Sequence, residues 1–297
     1  MSAGQVNTMS IVTARSPRRR RRTKGQAFGE AVGAVCLLAL LAFAVFPIVW
    51  MLISSFRPPT ELFTSPPTLV PSGLTLEWYV EALGGSKVIT WFANSLIVAA
   101  ATAVISCTVG TLAGYALARF LYPGRRFFML LLVSAYLFPA ILLLMPLYLM
   151  LSNYRLIGTL PAIILAHVAI TLPLATYLMK SFVESVPREL EEAALVDGCG
   201  PLKAFATVTM PLLRTGLATT LLFSFILSWD EYLFASALSQ TATATAPVGI
   251  QSFISSFDVR WGAIMALGTL VTIPVVVLFI ALQKNFEKGI TAGGVKG

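Results

Sequence analysis

Charged residues along this chain stand far apart, and the intervals between them mark its elements. Nothing charged lies between Glu30 and Arg57, Lys87 and Arg119, Arg126 and Arg155, Arg155 and Lys180, or Arg260 and Lys284. Each interval is apolar and about as long as the ~20 residues a helix needs to cross a bilayer. A sixth apolar run begins after Arg214 and continues to about Leu238, interrupted by Asp230 and Glu231. The pattern predicts six helices, over 31–54, 91–117, 127–150, 160–180, 213–238 and 262–283. The first is too long for the apolar core of a cleaved leader, and Arg57-Pro58-Pro59 ends it instead of a small-residue cleavage site.

Composition agrees. The 297 residues are 57% hydrophobic and 11% charged, against about 25% charged in soluble domains. An ordinary soluble enzyme is excluded. The net charge of +8 would hint at nucleic acid in a soluble protein, but here the distribution decides. With the N-terminus inside, 17 Lys and Arg fall on the inner side and 4 on the outer, namely Arg57, Lys87, Arg155 and Arg260. That asymmetry predicts cytoplasmic termini. The block Arg18 to Arg22 then fixes orientation, with no nucleic acid needed. Cys36, Cys107 and Cys199 form no close pair and no zinc spacing, so they are expected reduced, and no metal site is expected.

Thr102, Ser106, Gly110, Gly114 and Ala118 recur every four residues on the second helix. Small residues at this spacing line one face and admit a close neighbour. Pro139 and Pro146 interrupt the third helix, and Pro161 and Pro173 bracket the fourth, which suits kinked helices around a cavity. The outer segment 55–90 is rich in Pro, Thr and Ser, with Leu76 to Leu83 as a candidate surface helix. An ordered cap and a flexible linker are equally compatible with it.

The segment Ser181 to Pro211 is polar but patterned. Pro187 and Glu189, Glu191 and Glu192 suit a helix N-terminus. Val186, Leu190, Ala193 and Ala194 keep a helical period, Gly198 can end the helix, and Gly200-Pro201 can start another with Leu202, Phe205 and Val208 on one side. Glu192-Ala193-Ala194-Leu195-Val196-Asp197-Gly198, continuing through Phe205 to Pro211, resembles the E-A-A-x-x-D-G-x6-F-x5-P loop of ABC importer permeases. The resemblance implies an all-α membrane protein with the six-helix, type I importer permease fold and both termini cytoplasmic. It also implies that Glu192, Ala193, Ala194, Asp197, Gly198, Phe205 and Pro211 belong to a coupling loop, 183–211, that docks on a separate ATPase subunit. No G-x-x-x-x-G-K-[ST] loop is present. ATP and magnesium are therefore expected on partner ATPase subunits, with no cofactor and no catalytic site in this chain.

The resemblance extends to Asn94-Ser95-Leu96, taken to open the second helix, and to Ala113 through Arg119, taken to close it. Trp229-Asp230-Glu231-Tyr232 resembles the W-N-E-[YF] patch of sugar-importer permeases, with Asp230 replacing the usual Asn. Gly289 to Gly297 resembles the G-L-T-x-G-[AG]-V-K-G ending of maltose-permease-like subunits. These features imply a multi-pass subunit of a bacterial or archaeal plasma membrane. Its partners would be a second, distinct permease, two ATPase subunits and an extracytoplasmic sugar-binding protein. The expected division is a basic tail 1–27, a first helix and outer loop 28–90, a permease core 91–285 and a C-terminal tail 286–297, whose Lys296 and Gly297 also touch the ATPase.

Asp230 and Glu231, acids within an apolar run, are candidates for the translocation path or for binding neighbouring helix ends. Tyr136 and Tyr177, with Tyr115 and Tyr148, could stack on a sugar or belong to interfacial belts. His167 is expected to be a buried hydrogen-bond partner. A di- or oligosaccharide is the expected solute, with glycerol-3-phosphate as the alternative. An intramembrane enzyme lacks its motifs here, and a stand-alone transporter would not need the coupling loop.

Overall fold

The computed structural model describes residues 24–64, 70–85, 87–254 and 259–293. The arginine block, Ser65-Pro66-Pro67, Lys296 and Gly297 lie outside the described residues. The chain divides into two units, Met1–Trp50 and Met51–Gly297, with the boundary inside helix α1 (Lys24–Ser55). From Gly29 to Val49 α1 is exposed on every side. A helix that is apolar and uncovered all round fits hydrocarbon as its solvent.

In the second unit the order is α2 (Glu77–Leu83), α3 (Lys87–Arg119), α4 (Arg125–Leu137), α5 (Ala140–Asn153) and α6 (Leu160–Ser185). Then come α7 (Arg188–Val196), α8 (Pro201–Ala204), a π-helical turn Phe205–Thr209, α9 (Met210–Leu212) and α10 (Arg214–Trp229). Helices α11 (Leu233–Leu238), α12 (Ala246–Gln251) and α13 (Trp261–Gly293) finish the chain.

Four helical segments among the described residues are long and apolar enough to cross a bilayer: Gly29–Ser55, Lys87–Arg119, Leu160–Ser185 and Trp261–Gln283. Two bent pairs raise the number to six if each counts as one span. The expected third helix is one such pair: α4 and α5 meet at 99°. Pro139 is the N-cap of α5 and cannot donate into a continuous ladder, so the chain turns there. Pro146, by contrast, lies inside α5. The expected fifth helix, 213–238, is also corrected. It stops at Trp229, with Asp230 as its C-cap, and α11 follows after a break. At its other end α10 meets Pro201–Leu212 at 74°.

The small-residue stripe of α3 is the seam of this unit. Thr102, Ser106, Gly110, Gly114 and Ala118 are all buried, facing α6 and α10. A Cβ on Gly110 would lie 3.0 Å from the Ala175 carbonyl carbon, and one on Gly114 would lie 2.6 Å from the Lys180 backbone nitrogen. Main chain meets main chain there, so neither side can yield. The approach lets the Ser106 and Thr171 hydroxyls meet at 2.7 Å. Thr171 also donates to the His167 carbonyl (2.8 Å), which leaves Ser106 as the donor in the pair.

The described part of the outer segment is an ordered cap. Trp78 Nε1 donates to the Arg57 carbonyl (2.7 Å), Thr75 N to the Phe56 carbonyl (2.8 Å), and Ser55 meets the Tyr79 hydroxyl at 2.8 Å. Asn94 corrects another expectation. It does not open a helix but sits two turns inside α3, where its amide donates to the carbonyls of Ala242 (3.0 Å) and Ala244 (2.9 Å). The Ser95 hydroxyl accepts from Ala246 N (2.8 Å). One polar turn of α3 thus holds the 239–261 loop.

Gly114→Ala should lower stability by about 1–3 kcal/mol through overpacking, although helix propensity alone favours Ala by about 1 kcal/mol. Gly29→Ala, whose Cβ would meet nothing within 4 Å, should not. Thermal unfolding of the purified protein in one detergent compares the two.

Candidate functional site

The loop between α6 and α10 is built around a carboxylate that its sequence pattern does not single out. Glu191 is 9% exposed, the buried residue of α7. Arg119 Nε at the end of α3 donates to its Oε1 (2.9 Å), and the Thr209 hydroxyl donates to the same oxygen (2.8 Å). The Tyr115 hydroxyl donates to Oε2 (2.9 Å). Arg119 Nη2 also donates to the Val186 carbonyl (2.9 Å), and Arg188 Nη2 donates to the Ala118 carbonyl (2.8 Å). A buried charge is tolerated when it is paired and its lone pairs are satisfied, and Glu191 meets both conditions. The π turn brings Thr209 onto Glu191 and Phe205 onto the Tyr115 ring, with centroids 4.6 Å apart.

Anchoring through Glu191 decides which side of the helix is covered. Leu190, Ala193, Leu195 and Val196 are exposed, as is Leu202, while Ala204 and Thr209 face inward. Of the residues in helical period, Val186 is buried against Met179, Val183 and Leu213, while Leu190 and Ala193 stay exposed. Glu192, Ala193, Asp197 and Gly198 are exposed, and Ala194 is half-buried. Phe205 is half-buried against Tyr115, and Pro211 lies exposed in α9, just before the bend at Leu213.

Gly198 has φ of +85°, with Gly198 N donating to the Leu195 carbonyl (3.1 Å) and Cys199 N to the Ala194 carbonyl (3.0 Å). These bonds form a Schellman cap, and its left-handed position costs other residues about 1–2 kcal/mol. Asp197 is the C-cap residue beside it. The motif's Asp-Gly therefore sets where α7 stops and how Gly200-Pro201 begins α8.

Toward the other end of the helices, Asp230 and Glu231 part company. Asp230 is exposed at the end of α10. Glu231 lies just before α11, and its carboxylate accepts from Phe234 N (2.9 Å) and Ala235 N (3.0 Å). His167, fully buried on α6, meets Glu231 Oε2 through Nε2 (2.9 Å) and Ser228 Oγ through Nδ1 (2.7 Å). An ionised carboxylate only accepts, so a neutral His167 carries its proton on Nε2 and accepts from Ser228. Neither acid is inside a helix as expected. Glu231 binds a helix end, and His167 is the buried partner it was expected to be.

Tyr136 and Tyr177 come together. Both line a cavity of about 220 Å³ between α4 and α6, with Pro173. Tyr136 also borders an adjoining cavity of about 490 Å³ walled by Ser134, Phe138, Thr171 and Leu227. Glu231 lines neither cavity. Ser134 and Thr171 also border the larger cavity, but Thr171 is buried and its hydroxyl is taken by Ser106 and the His167 carbonyl.

The description "Binding-protein-dependent transport system inner membrane component" matches residues 108–292. This chain belongs to that family of ABC importer permeases. The permease is 36% identical over 270 residues to the inner membrane ABC transporter permease protein YcjP of Escherichia coli, covering 90% of this chain and 96% of that one. It is 34% identical over 275 residues to the diacetylchitobiose uptake system permease protein DasC of Streptomyces coelicolor, covering 92% and 100%. Its fold matches a chain of a bacterial ABC transporter involved in the import of the acidic polysaccharide alginate, with a TM-score of 0.76 and 22% identity, over 90% of this permease and 99% of that chain.

Glu191→Ala should destabilise the permease by about 3–5 kcal/mol, because it strands a buried guanidinium. Glu192→Gln, on the exposed side of α7, should stay within about 0.5 kcal/mol of the native protein. Thermal unfolding in detergent measures both, and limited proteolysis of 183–211 should be faster only for Glu191→Ala.

Proposed function

We propose that this permease is one half of a heterodimeric pore that imports a di- or oligosaccharide. Solute arrives from an extracytoplasmic binding protein, and ATP with magnesium is bound and hydrolysed on two separate ATPase subunits. The observation that carries the proposal is α7 itself. It is held rigidly from behind by Glu191, while Leu190, Ala193, Leu195 and Val196 are presented outward around the exposed Glu192. A short helix fixed to α3 and to the π turn moves them when it is moved, which is what a lever requires. The sugar class draws support from DasC, whose name records diacetylchitobiose uptake. It also draws support from the tyrosine-bordered cavities between α4 and α6, since aromatic faces suit the C–H faces of sugar rings.

In this mechanism α4, α6 and α10 bound the path, and Tyr136 and Tyr177 meet the solute. Glu231 keeps the α10–α11 elbow in place through His167 and stays off the path. ATPase closure pushes α7, and the push reaches α3 through Arg119 and α10 through Thr209 and the bend at Leu213.

Docking is tested by crosslinking. A disulfide-length crosslinker at Val196→Cys should join the permease to an ATPase subunit in membranes, and one at Tyr154→Cys should not. Absence of the Val196 product in an assembled complex would contradict the docking. For the path, Tyr136→Ala should lower sugar uptake about tenfold, the scale of one lost aromatic contact of ~1–1.5 kcal/mol. Asp230→Asn should leave uptake within about twofold. Radiolabelled-sugar uptake at matched expression reads both.

A further inference from the structure

A third cavity, of about 690 Å³, opens at the same end of the helices as the coupling loop and takes no part in either role above. Its floor is the turn from α3 to α4, and Lys180 of α6 forms one wall. Three cations line it: Arg125, Arg126 and Lys180. One acid answers them. Glu184 is 2.7 Å from Lys180 Nζ and 3.4 Å from Arg125 Nη2. Three positive charges against one negative leave an excess of two. Arg125 and Lys180 are partly withdrawn from water, their side chains 26% and 15% exposed. Gly124, before the first turn of α4, supplies no side-chain cap; Arg125 N is bonded to the Tyr122 carbonyl (3.3 Å), and the positive end of the helix adds to the field.

The rest of the lining is apolar. Leu117, Leu121 and Met129 border the cations, and Leu121 is 84% exposed. Next to them on α4, Phe127, Phe128 and Leu130 are also exposed. A charged recess at the end of membrane helices, opening onto an uncovered apolar flank, has the two-part chemistry of an anionic phospholipid. A free phosphate would use the cations and leave the flank unexplained.

We propose that this cavity binds the phosphate of an anionic membrane phospholipid, with Arg125, Arg126, Lys180 and the α4 N-terminus around the phosphate and the acyl chains along Leu121 and α4. Leu117 and Leu121, which line the cavity, flank Arg119 in the chain, so an occupied cavity braces the end of α3 that holds α7. The proposal needs only a membrane-embedded permease and stands whichever solute is imported.

The test uses the full permease assembled with its partner subunits in nanodiscs of phosphatidylcholine carrying 20–30% phosphatidylglycerol (about the anionic content of many bacterial membranes, chosen for ~1 kcal/mol per cation to be visible). Lipid retained by the complex is counted by native mass spectrometry. Arg126→Gln should reduce phosphatidylglycerol retention about fivefold, and adding Lys180→Gln about twentyfold or more, at ~1 kcal/mol per charge. Arg214→Gln, an exposed cation outside the cavity, should change nothing. Retention in both cavity variants equal to the native protein overturns the proposal. So does equal loss in Arg214→Gln, which would mean a diffuse surface charge. If inorganic phosphate at 10 mM (about physiological, and far below saturation of a weak ion pair) displaces the lipid completely, the occupant is a free phosphate and the lipid assignment fails. Should the variants not assemble, photoactivatable phosphatidylglycerol in the unmodified complex decides. Label on Tyr122 to Met129 supports the site, and label elsewhere only refutes it.

Discussion

A carboxylate withdrawn from water must be matched where it lies, and the α7 end of this permease is organised by that requirement. Glu191 draws Arg119 and Tyr115 from α3 and Thr209 from the π turn onto one pair of oxygens. Swapping such a pair for well-packed apolar groups often costs nothing, so stability alone does not explain it. Its consequence is directional. With Glu191 alone turned inward, Leu190, Ala193, Leu195 and Val196 are left outward beside the exposed Glu192.

That arrangement depends on packing along α3. Arg119 can reach Glu191 because the glycines of α3 let α6 approach to backbone contact, setting where both helices end. The seam, the ion pair and the outward face of α7 form one mechanical chain. The His167–Glu231–Ser228 cluster does comparable work at the α10–α11 elbow, where a single carboxylate caps α11 and holds α6. Both clusters are polar links in an apolar bundle, where few other contacts have direction.

Much of this was legible in residue spacing. The charge-free intervals located the apolar helices, the four-residue stripe named the α3 seam, and the E-A-A loop named the family. What failed did so for physical reasons. Hydropathy sums over a window, so it ran through Pro139 and through Asp230-Glu231, where the backbone turns. Helical periodicity puts Val186, Leu190, Ala193 and Ala194 in register but does not say which of them is covered. Arg119, more than 70 residues earlier, decides that by holding Glu191 inward. The partners of Asn94, His167 and Glu191 are likewise set by tertiary approach, which local pattern does not contain. Gly198 needed no correction, because a Schellman cap is a local device.

The proposed lever, α7, is fixed to the permease by the Glu191 carboxylate. Its most direct measurement is the ratio of solute transported to ATP hydrolysed in a reconstituted complex carrying Glu191→Gln, which keeps the shape of the side chain and removes its charge. Loosening the anchor while leaving the exposed docking face intact should preserve ATP hydrolysis and lower transport per ATP severalfold. An unchanged ratio, at normal assembly and with both activities retained, would contradict the lever.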